Sequence, residues 1–196
     1  MGYFGLLVEG LKRIKYYILV NIAAFTIGVI VGVLMWQDIA EQAINELGDI
    51  NSLLSMGPLE VFLYILQHNM FIAYPLSYVL GITIIVPAII MLVNGAGVSA
   101  LVVYFEATTG IPAVFSVAAM LPHGVLEVPA VILAASTGID FGVSTWLKIF
   151  KRISIDEYRV RLKQQASILL LTFILLAAAA AIETGLIVLA TSFYNV

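Results

Sequence analysis

His123 and Glu127 stand four residues apart in the run Leu121-Pro122-His123-Gly124-Val125-Leu126-Glu127-Val128-Pro129, a spacing that puts both side chains on one face of a helix. There a carboxylate can orient an imidazole, share its proton, or join it as a ligand to a metal. Pro122 and Pro129 lack amide hydrogens, so each frees the carbonyl four residues earlier, that of Ala118 and of Val125. Gly124 lets another helix approach closely. Freed carbonyls at membrane depth must face protein or water, because lipid cannot satisfy them. Glu183, His68, Asn69 and Asn94 are the other polar residues set within long apolar stretches. A charge at the centre of a membrane helix costs about 2.5 to 3.5 kcal/mol on insertion scales. A chain that keeps several therefore uses them, as glue between helices or as a site.

The elements that must position these groups follow from charge and hydropathy. All nine lysines and arginines fall within Lys12 to Lys15 or Lys148 to Lys163. Cationic loops stay inside during membrane insertion, so both clusters mark the inner side. Apolar residues make up 62% of the chain and charged ones 11%, with a mean hydropathy of +1.09, which excludes a soluble domain of any size. The net charge of −3 follows this topology and gives no reason to expect a nucleic-acid partner. With no cysteine, neither disulfides nor thiolate metal sites are available.

A hydrocarbon core about 30 Å thick takes roughly 20 helical residues to cross. The first crossing is expected at about 17–36, retained as a signal anchor because no small-residue cleavage site follows it. The chain is then outside near residue 56 and inside at 148, so an odd number of crossings must intervene. Three fit the lengths, at about 58–80, 82–105 and 112–137, with a tight turn near Leu80-Gly81. A last crossing at about 166–194 returns the chain outside. The expected fold is an all-α, polytopic membrane protein of five crossings in one transmembrane domain, N-terminus inside and C-terminus outside. Amphipathic interfacial helices are expected at about 2–15, 38–55 and 141–163. Counted from the outer ends at 1.5 Å per residue, His68 lies about 15 Å deep and His123 and Glu183 about 16 Å. Asn69, Asn94 and Glu127 lie within about a turn of that level.

At these residues the chain resembles the stage II sporulation protein M family. The matching motifs are His68-Asn69, Asn94-Gly95, Pro122-His123-Gly124 with Glu127 and Pro129, and Ile182-Glu183, spanning about residue 17 to the end. The proline-histidine-glycine run with its glutamate is the most specific of them; at His68-Asn69 the family often has two asparagines. The resemblance implies a multi-pass protein of the cell membrane, and in spore-forming bacteria a scaffold that gathers a wall-remodelling complex during engulfment.

Two functional readings follow. The first is a non-enzymatic membrane scaffold or small transport component, with the polar residues fixing the bundle or lining a path. The second is an intramembrane metal-dependent hydrolase in which His123, Glu127 and Glu183, with His68, hold a divalent metal such as zinc, an ion that accepts imidazole and carboxylate together. No HExxH motif is present. Beyond the bilayer itself, the Ala and Gly faces of the last helices are compatible with a homodimer or other membrane partners.

Overall fold

The structure, a computed structural model, describes residues 2–47 and 56–194, which are helical almost throughout. In chain order these are α1 (Tyr3–Leu34), α2 (Trp36–Leu47), α3 (Pro58–Phe71), a π-helical segment (Ile72–Tyr78), a 3-10 segment (Val79–Thr83), α4 (Val86–Thr109), α5 (Ala113–Ile149) and α6 (Ile155–Tyr194). Among the described residues, four helices, α1, α4, α5 and α6, are long and apolar enough to cross a membrane.

Three of them run past the expected limits at the ends that carry the basic clusters. The segment 2–15 is no separate interfacial helix but the first half of α1, whose 32 residues extend about 48 Å. Part of this half packs on α6, while Phe4 stays exposed. Ile14 is fully buried, Gly10 lies against Ile168 and Gln164, and the Tyr3 hydroxyl donates to the Ser167 carbonyl at 3.0 Å. The expected elbow at 141–163 is likewise the facing ends of α5 and α6, joined by a tight turn. Lys151 takes a positive φ of 56° there, and the Ser154 hydroxyl accepts from the Glu157 amide at 3.0 Å, capping the start of α6. The stretch 38–55 is helical as α2 to Leu47, and its remainder lies outside the described residues.

Prolines divide the remaining elements. Pro122 and Pro129 lie inside α5, which continues through both. The expected crossing at 58–80 is the one that breaks. Pro75 falls in the π-helical segment, the 3-10 segment follows, and Ile84 with a φ of 66° turns the chain into α4. Tyrosines pin this irregular stretch to α6: Tyr74 donates to the Leu169 carbonyl at 2.8 Å and Tyr78 to the Gln165 side chain at 3.2 Å. Ala73, Ser77 and Gly81 are buried, and non-α backbone is tolerated at membrane depth only where protein covers it.

Lipid tails are as apolar as leucine, so close van der Waals packing holds such helices together. α1 and α4 make the most extensive contact. A side chain at Gly28 would collide with the Leu92 backbone, and one at Gly95 with the Phe25 carbonyl. At this crossing the Ser99 hydroxyl donates to the Val29 carbonyl at 3.0 Å.

Candidate functional site: a histidine and carboxylate cluster

Helix α5 presents His123 and Glu127 on one face, and α6 brings Glu183 opposite them. One donor atom from each of the three lies within 4.8 Å of the others, and all three side chains are partly exposed. The His123 Nδ1 atom is buried and has no hydrogen-bond partner. From α3, the buried Asn69 lies beside the Glu127 carboxylate. His68, exposed beside it, lies near Glu183, as His123 does. On α4, Asn94 donates to its own helix at the Ile90 carbonyl, 2.9 Å away, and shares a pocket with Glu127, Phe25, Met91 and Val131. The six polar residues singled out in the sequence thus come from four elements to one neighbourhood. Pro122, Gly124 and Pro129 border it on α5. Gly124 faces open space, with no helix closing on it.

The surroundings fix how the cluster is reached. α3 and α5 both pack on α6, with little contact between each other, and the pocket beside Glu127 is lined by Phe25 of α1, Met91, Asn94 and Val98 of α4, and Val128 and Val131 of α5. Next to the pocket lies an apolar core of Ala73, Met91, Ala130, Val131, Ala134, Ala135 and Leu176.

Below that core is a second polar cluster that the sequence reading missed. Asp140 on α5 is 1% exposed. The Arg13 guanidinium donates to both of its carboxylate oxygens, at 2.9 and 2.7 Å, and to the Gln164 side chain. Gln165 donates to Asp140 at 2.6 Å and accepts from Tyr78. This clamp ties α1, α5, α6 and the π-helical segment together. Asn21, fully buried, extends the polar contacts by donating to the Ser136 hydroxyl at 3.0 Å. The sequence did hold a signal. Asp140 stands alone in a long apolar run, and Arg13 sits at the inner level where such a carboxylate needs a partner.

Chemically, an imidazole and two facing carboxylates form a cation site. Two negative charges this close in a poorly solvated place require a proton, a cation or a positive side chain between them. Arg13 is committed to the other end of the bundle.

An all-helical membrane protein with a histidine and carboxylate cluster set within its apolar helices is the class that fold and site define. The family model of Stage II sporulation protein M matches residues 21–186, a span that includes every residue of the cluster. The chain belongs to that family. No curated protein and no solved structure matches it.

Proposed function

We propose that this is a non-enzymatic, multi-pass component of the cell membrane that admits a cation to a polar site within its bundle, a small transport component more than a passive scaffold. The convergence of His123, Glu127 and Glu183 within 4.8 Å carries this reading, because no lysine or arginine lies between Lys15 and Lys148 to neutralise the two carboxylates. The chain crosses five times, N-terminus inside and C-terminus outside. The broken segment from Pro58 to Thr83 supplies the fifth crossing, its α-helical part alone reaching about 21 Å. In this reading the apolar core and the Arg13 clamp lie on the inner side and close that half of the bundle.

Flux into proteoliposomes tests it. With pH-sensitive or zinc-sensitive dye inside, the protein should carry protons or divalent cations faster than protein-free vesicles allow. Glu127→Gln and Glu183→Gln should each abolish the difference while the proteins remain folded. Silence toward both cations would remove the transport reading and leave the scaffold role that family membership suggests. The hydrolase is the second reading, supported by the partial exposure of all three groups, which gives water a way to an open position on a bound metal. Cleavage of an ester or amide presented in the same vesicles would favour it.

A further inference from the structure

We propose that His123, Glu127 and Glu183 bind a divalent first-row transition cation of the zinc class, with His68 swinging in as the fourth donor. This deepens the cation-site reading by naming the ion.

The donor set makes the choice. Magnesium and calcium take oxygen donors, whereas an imidazole with carboxylates suits zinc and its neighbours. The geometry allows it. Zinc holds nitrogen at about 2.0 to 2.1 Å and carboxylate oxygen at about 2.0 to 2.2 Å, so two donors on one tetrahedral ion lie about 3.4 Å apart. The widest separation among the three is within 4.8 Å, a difference that rotation of a glutamate side chain closes without moving a helix.

Two further observations point to a ligand. The Nδ1 atom of His123 is buried without a partner, although a buried polar atom ordinarily has one. His68 is exposed on α3, next to the buried Asn69 and near Glu183. In the proposed site its imidazole turns toward the ion to supply the fourth donor. Asn69, beside Glu127, would hold that carboxylate from behind, in the manner of the outer partners that orient metal ligands.

The experiment uses full-length protein purified in detergent without nickel resin, stripped with chelator, then loaded with zinc or cobalt. Mass spectrometry should find one metal per chain, and the cobalt form should show visible absorption bands of a low-coordinate nitrogen and oxygen site. His123→Gln, Glu127→Gln and Glu183→Gln should each weaken affinity at least about tenfold, His68→Gln less, and Glu106→Gln not at all. The cobalt spectrum of the unaltered protein is informative even if a variant fails to fold. Failure of folded wild-type protein to load either metal overturns the proposal, as does unchanged affinity in His123→Gln. Metal binding without flux leaves the site standing and removes the transport reading. Proton flux through protein that binds no metal does the reverse.

Discussion

Replacing Arg13 with methionine should cost the fold about 3 kcal/mol, the lower end of the roughly 3 to 5 kcal/mol for removing one partner of a buried ion pair. The structure places the value within that range. Asp140 has a side chain 2% exposed while that of Arg13 is 22% exposed, so the acid is the group stranded by the change, and screening at the arginine end lowers the cost. Gln165 still donates to Asp140 at 2.6 Å, which softens the penalty without supplying a counter-charge. The informative variant is the double one. In Arg13→Met with Asp140→Leu no charge is left buried, and well-packed apolar replacements of such pairs are often neutral. The double variant should therefore be more stable than Arg13→Met alone, with a coupling between the sites of about 2 kcal/mol, inside the range for residues in direct contact. Unfolding in mixed micelles of rising sodium dodecyl sulfate content, followed by circular dichroism, measures all four proteins of the cycle. If the two single costs simply add in the double variant, the clamp is not an energetic unit and the reasoning fails.

Two further outcomes are expected. Gly95→Leu puts a side chain where the Phe25 backbone lies, so it should destabilise the α1 and α4 crossing by about 1 to 3 kcal/mol or more; Gly97→Leu, facing open space, should not, and the same micelle titration compares them. Because the chain has no cysteine, single cysteines report its topology: an impermeant maleimide applied to intact cells should label Thr108→Cys and spare Lys151→Cys, and labelling of both would overturn the orientation.

The long helices were legible in the sequence, and the four-residue step from His123 to Glu127 put those two side chains on one face, where Glu183 meets them. Those signals are local, or need only a count along the chain. The inner ends were harder. Polar residues beyond Gly138 resemble an exit from the membrane, and whether a helix stops there depends on whether Asp140 finds Arg13, a contact spanning 127 positions that no periodicity reveals. The prolines make the same point. Pro75, Pro122 and Pro129 each remove one amide, yet α5 continues through two of them while the backbone at Pro75 changes winding. What differs is the tertiary anchoring of Tyr74 and Tyr78 on α6, which is invisible in the local sequence.

The unbroken course of α5 and α6 gives the molecule the mechanics of a pair of tongs. Glu127 is at one tip, Glu183 at the other, and the joint is the turn at residues 150–154. From joint to tip each arm measures roughly 35 to 45 Å. A change of about 1 Å between the carboxylates thus takes an opening of only about 1.5° at the joint. The Arg13 clamp grips the arms close to the joint, where leverage is greatest. A substitution in that turn or in its clamp can therefore reset the gap between the two carboxylates while touching nothing near them.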